Sequence, residues 1–322
     1  MLSKRIRKRI YTAAAVTAAV LLLLALPFAL ALLPAHGYDC GYSPEQCRAV
    51  RIAGHRGGAH LGNENTLSCF AQAIELGVDL ECDIHETRDG QLIICHDFTL
   101  DRVTDGHGNI GDFSAAELQQ LHFVDRDGCL TDDYLPLLSE LLELDHGQSC
   151  LYIEIKAGYK TYPDIEQKLV DMLHQYNAQS WVIIDAQEDY TLERVHQLDP
   201  TLRLEKLARC KLWGLPLLLD ATGLTWLDYD KYDYLAGFQL YYLGVSPSVI
   251  DDMHRHGKSV RVWTPEDPDH MPTCLDVDGV IVNRPDLWLT ERADALSEPN
   301  DRLNIVGDSL SSESDSLLYT RD

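Results

Sequence analysis

The stretch VDLECDIHETRDGQLIICHD, Val78 to Asp97, decides how this chain folds. Val78–Ile84 alternates as a strand does, with Glu81 and Asp83 on one face and Leu80, Cys82 and Ile84 on the other. Gln91–His96 is a second extended run, reached from Thr87 through only Arg88, Asp89 and Gly90. That linker is too short for a parallel crossover, which takes about a dozen residues. Asp-Gly between extended segments predicts a two-residue hairpin instead. With Arg88 paired to Gln91, His96 lands opposite Asp83 and returns to the level of Glu81.

Outward from this hairpin, short β-branched runs alternate with amphipathic stretches. Strands are expected at Val50–Gly54, Val78–Ile84, Leu151–Ile155, Trp181–Asp185, Leu202–Leu207, Gly237–Tyr241, Ser259–Thr264 and Gly279–Val282. Helices are expected at Thr66–Leu76, Pro136–Asp145, Asp164–Tyr176, Tyr190–Leu198, Pro247–His256 and Pro285–Ala293, several opening on Pro or a capping residue. Eight strands with intervening helices over about 245 residues match a closed α/β (β/α)8 TIM barrel better than an open doubly wound sheet. The hairpin and the irregular, Gly/Asp-rich residues 101–135 form an insertion after the second strand.

Composition sets the surroundings. The 322 residues are 45% hydrophobic and 24% charged, as in a folded globular chain. The 27 Lys and Arg against 51 Asp and Glu give −24, which excludes nucleic acid as a partner, because phosphate backbones need clustered cations. Lys4, Arg5, Arg7, Lys8 and Arg9 crowd five positive charges into the N-terminus. No charged residue follows until Asp39, and Thr12–Leu33 is long enough at 1.5 Å per residue to span a core of about 30 Å. The positive-inside rule then keeps residues 1–9 cytoplasmic and sends the remainder across the membrane. Pro27 and the Ala29-Leu30-Ala31 run leave a cleaved signal peptide, and so a secreted or periplasmic protein, as the competing reading of residues 10–33. Residues 34–49 read as a linker, 50–295 as the barrel, and 296–322, acidic and rich in Ser, as a disordered tail. Of nine cysteines, Cys40 and Cys47 are the best disulfide candidates, while Cys69, Cys82, Cys95, Cys210 and Cys274 sit in apolar surroundings and read as core.

Function in such barrels gathers at the C-terminal ends of the strands, where polar residues interrupt otherwise apolar runs. The first strand ends in Gly54-His55-Arg56-Gly57-Gly58, the second carries Glu81 and Asp83, the hairpin returns His96-Asp97, and Glu154 and Lys156 share one face of the next strand. His85 shares the face of Asp83 and is expected to point past the rim. Glu81, Asp83 and Glu154 offer hard oxygen ligands for one divalent cation, Mg²⁺ or Ca²⁺. Arg56 and Lys156 suit phosphate oxygens, and His55 and His96 titrate near neutrality, as acid and base catalysts must. Together these groups describe a metal-assisted phosphodiester hydrolase.

His55-Arg56-Gly57, Glu64-Asn65-Thr66, Glu81-x-Asp83, Thr87-x-Asp89-Gly90 and His96-Asp97, in that order, resemble the signature of the glycerophosphodiester phosphodiesterases. Glu154-x-Lys156, Trp263-Thr264 and Asp278-Gly279-Val280-Ile281 fit the same pattern, so the resemblance spans roughly residues 50–293. The N-terminal apolar segment is similar to that of the membrane-bound animal members. The resemblance implies a TIM barrel that cleaves glycerophosphodiesters to an alcohol and glycerol 3-phosphate. By position it makes His55 and His96 the acid/base pair, Glu81, Asp83 and Glu154 the metal ligands, and Arg56 and Lys156 the phosphate contacts. Glu64 becomes an outer neighbour or occasional ligand, and Trp263 an aromatic wall of the substrate pocket. Two strand ends depart from the family pattern, Asp185-Ala186 and Asn283-Arg284-Pro285, which leaves substrate choice open. Lysophospholipase D action on lysophospholipids is the alternative activity, suggested by the membrane segment and by an apolar loop with Trp213, Leu215, Leu217 and Leu218. A tethered barrel that binds without catalysis is the other.

Overall fold

The computed structural model describes residues 50–212, 215–220, 222–266 and 276–290. The expected membrane segment, the Cys40–Cys47 pair, Trp213, Cys274 and the Ser-rich tail lie outside them. In chain order the strands are β1 (Arg51–Gly54), β2 (Asp79–Glu86), β3 (Leu92–Ile94), β4 (Leu151–Ile155), β5 (Val182–Ala186), β6 (Arg203–Ala208), β7 (Cys210–Lys211), β8 (Leu217–Asp220), β9 (Gly223–Trp226), β10 (Gly237–Tyr241), β11 (Ser259–Trp263) and β12 (Gly279–Val282). Eight of them pair in parallel in the order β1-β2-β4-β5-β6-β10-β11-β12, and β12 returns to β1 through Arg51–Gly279 and Gly54–Val282. The barrel is closed, as the alternation predicts.

Burial explains why these segments are strands. Every residue of β4, β5 and β12 is buried, as parallel strands covered on both faces must be. The helices α1 (Leu67–Glu75), α2 (Ala115–Leu118), α3 (Leu138–Asp145), α4 (Ile165–Gln175), α5 (Asp189–Leu198) and α6 (Pro247–Arg255) follow the capping signals. Thr66 Oγ1 accepts from Cys69 N at the start of α1, and Pro247 occupies the first turn of α6. Residues 285–290 are helical, and the rest of the expected Pro285–Ala293 helix lies outside the described residues. One apolar core fills the space between strands and helices. A smaller one, with Ala53, Tyr152, Ile183 and Ile281, fills the barrel interior. Among the described residues, no helix is long and apolar enough to cross a membrane.

The hairpin forms, but one residue out of the expected register. Thr87 N donates to Gln91 O and Gly90 N to Thr87 O, both at 2.9 Å, so the loop holds three residues. Ile84 therefore pairs with Ile94 and His85 with Ile93, and it is Cys95 N that donates to Asp83 O. A two-residue turn of the Asp-Gly type requires positive φ at both positions. Here only Gly90 takes it, at 79°. Thr87 locks the wider loop by donating to Asp89 Oδ1 (2.6 Å) and accepting from Gln91 N (2.9 Å).

Two insertions are more ordered than their sequences suggest. Residues 101–135 carry α2 and a 3-10 turn at Ile110–Asp112, packed around Leu100, Val103, Ile110, Leu118, Phe123 and Leu135. The stretch expected to be an apolar loop contains β8, which pairs antiparallel with β7 and β9 to make a separate three-stranded sheet. Leu218 faces the main core, whereas Leu217, Leu219, Leu224 and Trp226 share the outer face, where Trp226 is 66% exposed. Cys69, Cys82, Cys95 and Cys210 are buried and unpaired, as expected of core cysteines.

Candidate active site

The acidic cluster is built by register. Glu81 and Asp83 point inward from β2, and β4 lies beside it with Glu154 opposite Asp83. One oxygen from each of Glu81, Asp83 and Glu154 lies within 4.8 Å of the others, and all three residues are buried. Lys156 Nζ sits 3.2 Å from Asp83 Oδ1 and 3.0 Å from Glu154 Oε2. Arg56 donates its backbone N–H to Glu81 Oε2 (2.7 Å), and its Nε lies 3.7 Å from Asp83 Oδ2. Asn65 Nδ2 donates to the same Asp83 oxygen at 2.8 Å.

Two cations do not balance so many acids. Burial and the neighbouring carboxylates of Asp83 and Asp185 push Glu81 well above its ordinary range, and Glu154 is also raised, burial and Asp83 outweighing Lys156. Burial acts on Asp83 in the same direction, but Lys156, His96, Arg56 and His55 hold it well below the usual carboxylate range. Asp83 Oδ1 receives no hydrogen bond among the described residues. Three buried hard-oxygen donors with excess negative charge and an oxygen left without a hydrogen bond fit a divalent cation such as Mg²⁺ or Ca²⁺.

A histidine stands on each side of the cluster, differently held. His55 follows β1 in a tight turn that requires Arg56 at φ 54°. Its Nδ1 lies 2.8 Å from Asn283 Oδ1, while Asn283 Nδ2 donates to Glu266. An amide oxygen only accepts, so the proton is on Nδ1 and the lone pair is on Nε2, 4.0 Å from Glu81 Oε2. Burial and the adjacent Arg56 lower this imidazole to about 4, so it is neutral. His96 gives its Nδ1 proton to Asp97 Oδ1 at 2.7 Å. Burial pushes Asp97 up, but hydrogen bonds from Arg102 and His96 bring it down to about 2, so a carboxylate backs the His96 ring. Burial lowers His96 too, against the pull of Asp83.

The remaining expected residues also gather here, with one correction. Glu64 is held through both oxygens, by Arg56 at 2.8 Å and by Arg102 at 2.7 and 2.9 Å, outside the acidic cluster. Trp263 lies at the end of β11, its Nε1 donating to Gln239 O and its ring 5.2 Å from Tyr241. His85 does not point past the rim. It is fully buried, bonded to Tyr162 Oη at 3.0 Å and to His96 O at 3.4 Å, because residues 96–100 fold over the end of β2 and seal it.

Sequence reasoning passed over several groups. Asn283 and Asp185 stood out only as departures from a pattern, although one orients His55 and the other extends the acidic row. Asp185 pairs in register with Glu154, and burial with Glu154 and Glu205 raises it well above the ordinary range. Asn65 and Arg102 bond Asp83, and Asp97 with Glu64, from positions that no spacing rule singles out.

A parallel barrel whose strand ends hold three carboxylates, two oriented imidazoles, an arginine and a lysine defines a hydrolase of phosphoric diesters. Residues 55–287 match the glycerophosphoryl diester phosphodiesterase family, and the chain belongs to it as an enzyme that hydrolyses glycerophosphodiesters. It is 31% identical over 243 residues to a glycerophosphodiester phosphodiesterase of Caldanaerobacter subterraneus, covering 73% of this chain and 94% of that one. A glycerophosphodiester phosphodiesterase of Agrobacterium tumefaciens shares its fold with a TM-score of 0.62 at 22% identity, over 75% of this chain and 99% of that one. So does an Oleispira antarctica phosphodiesterase solved with its product sn-glycerol-3-phosphate, at 0.64 and 21%, over 77% and 98%.

Proposed function

We propose that glycerophosphodiesters are cleaved to glycerol 3-phosphate and an alcohol at this rim, with His55 as base, His96 as acid, and Glu81, Asp83 and Glu154 as ligands of one divalent cation. The unlike backing of the two histidines carries the reading: an amide oxygen faces Nδ1 of His55, a carboxylate faces Nδ1 of His96. Nε2 of His55 holds a lone pair and removes the proton of an attacking water as the new P–O bond forms. His96, backed by the Asp97 carboxylate, gives a proton to the departing oxygen as the old bond breaks. Arg56 and Lys156 bind the non-bridging oxygens, and Trp263 with Tyr241 walls the pocket. The cation supplies a Lewis acid that draws charge from the phosphoryl group. His55→Ala, or chelation, is expected to cut turnover of glycerophosphocholine by about 10²-fold or more at unchanged folding. Full activity in either case rejects the scheme.

The outer face of the β7–β9 sheet supports a second reading on the same chemistry. Leu217, Leu219, Leu224 and Trp226 make an apolar surface on the insertion that follows the rim end of β6, suited to an acyl chain and hence to lysophospholipids. Turnover of lysophosphatidylcholine against glycerophosphocholine separates the two. Residues 10–33 are proposed to anchor the enzyme with its barrel on the non-cytoplasmic side, supported by their apolar length and the preceding cations. Carbonate extraction tests the anchor, and protease protection of the barrel in sealed vesicles tests its side.

A further inference from the structure

The opposite mouth of the barrel is lined by arginines. A cavity of about 320 Å³ opens there, and Arg51, Arg203, Arg261, Tyr152, Trp181 and Ile183 are among its lining residues. Arg51 and Arg203 are the first residues of β1 and β6, so the cavity sits at the strand N-termini, whereas the acidic rim lies at the C-termini. Ala53, Tyr152, Ile183 and Ile281 close the interior between the two.

Structural pairing occupies Arg51 and part of Arg261 but leaves Arg203 without a carboxylate. Arg51 uses Nε and Nη2 on Asp79, at 2.6 and 2.5 Å. Arg261 is buried, gives Nε to Tyr152 Oη at 2.8 Å and Nη1 to Glu205 and Ser259, and makes no hydrogen bond through Nη2 among the described residues. Arg203 has no carboxylate partner among the described residues. Its Nη2 reaches only the backbone oxygens of Ser180 and Val182, with Cys150 Sγ at 4.0 Å, leaving Nε and Nη1 without partners there. Asp79 and Glu205 take up Arg51 and part of Arg261, with Asp278 a further negative neighbour of Arg261, so Arg203 is the guanidinium left to meet an anion at this mouth. Guanidinium edges match phosphate oxygens in geometry as well as charge, and the volume admits more than a bare ion.

From this we propose that the N-terminal mouth of the barrel is a second anion site, built for a phosphate dianion, free or as the head of a small monoester, and separate from the catalytic rim. The test is equilibrium dialysis of the detergent-solubilised full chain against inorganic phosphate in EDTA, where the uncompensated acidic cluster repels phosphate. Saturable binding near one per chain is expected, with Kd on the order of 0.1–1 mM. Arg203→Gln should weaken it about tenfold or more, and glycerophosphocholine, which in EDTA occupies the other end of the barrel without being cleaved, should leave it unchanged. Arg203 is exposed and bonds only backbone oxygens and a thiol, so its replacement spares the fold, which circular dichroism verifies. A parallel titration with glycerol 2-phosphate assigns the occupant: tighter binding than phosphate marks a monoester site, weaker binding a free-ion site. Absence of saturation by about 10 mM, insensitivity to Arg203→Gln, or displacement by glycerophosphocholine overturns the proposal.

Discussion

At the residue scale, this protein turns on which nitrogen of each histidine carries a proton. Asn283 decides it for His55 through a single acceptor atom. Asn283→Leu keeps the branched heavy-atom shape and removes that acceptor, so kcat should fall about 10- to 100-fold while KM and cation affinity change little. Steady-state kinetics with a cation titration read both. Arg102 does comparable work for His96 by holding Asp97, whose folded value of about 2 lies below the ordinary carboxylate value near 3.9. A depressed carboxylate stabilises the fold fully above its unfolded value and loses that contribution as pH falls through its folded one. Arg102→Gln raises Asp97, and Glu64 with it, so the acid-unfolding midpoint should move to higher pH. A midpoint unchanged from the wild type contradicts the assignment.

At the element scale, the hairpin and the β7–β9 sheet show how local chemistry and distant partners share control. The turn was legible as a turn, since Asp89-Gly90 sits between extended runs. Its register was not, because that depended on Thr87 closing a wider loop and on Asp89 staying in ordinary backbone space. Gly90 alone has positive φ there, and a Cβ on it would meet Lys168 Nζ at 2.7 Å. Gly90→Ala should therefore cost about 1–2 kcal/mol, measured as a lowered urea midpoint at constant m-value. The three-stranded sheet escaped notice because β7 is two residues long and its partners lie across a turn. What fixes the sheet to the barrel is a buried charge. Lys206, fully buried on β6, reaches Asp189 at 2.7 Å and Asp220, at the end of β8, at 3.0 Å. Lys206→Met leaves Asp220 without a cation, Asp189 keeping Lys231 at 2.6 Å, and should destabilise the protein by about 3–5 kcal/mol, and adding Asp220→Leu should recover part of the loss. Chemical denaturation of the single and double variants checks the coupling.

At the scale of the whole molecule, charge governs the approach of substrate. A chain of −24 repels a diester that carries net negative charge and is indifferent to a zwitterion. Raising ionic strength from about 20 to 150 mM shortens the screening length about threefold. The ratio of kcat/KM for glycerophosphoglycerol to that for glycerophosphocholine should therefore rise several-fold. A flat ratio means that local cations, not the global field, control encounter.

Short β-branched runs between amphipathic stretches determined the eight barrel strands to within about two residues, and the ordered motifs placed His55, Glu81, Asp83, His96 and Glu154 at one rim. Both follow from chain-local physics: a strand covered on both faces reads as a short β-branched run, and polar side chains at its end stand out against that apolar background. Tertiary structure alone decided that Asn283 would face His55, that Asp185 would line up with Glu154, that residues 96–100 would bury His85, and that three arginines would meet at the far mouth. Those meetings depend on strand register and barrel closure, which bring together groups as far as 228 positions apart in the sequence, a distance at which no local pattern carries information.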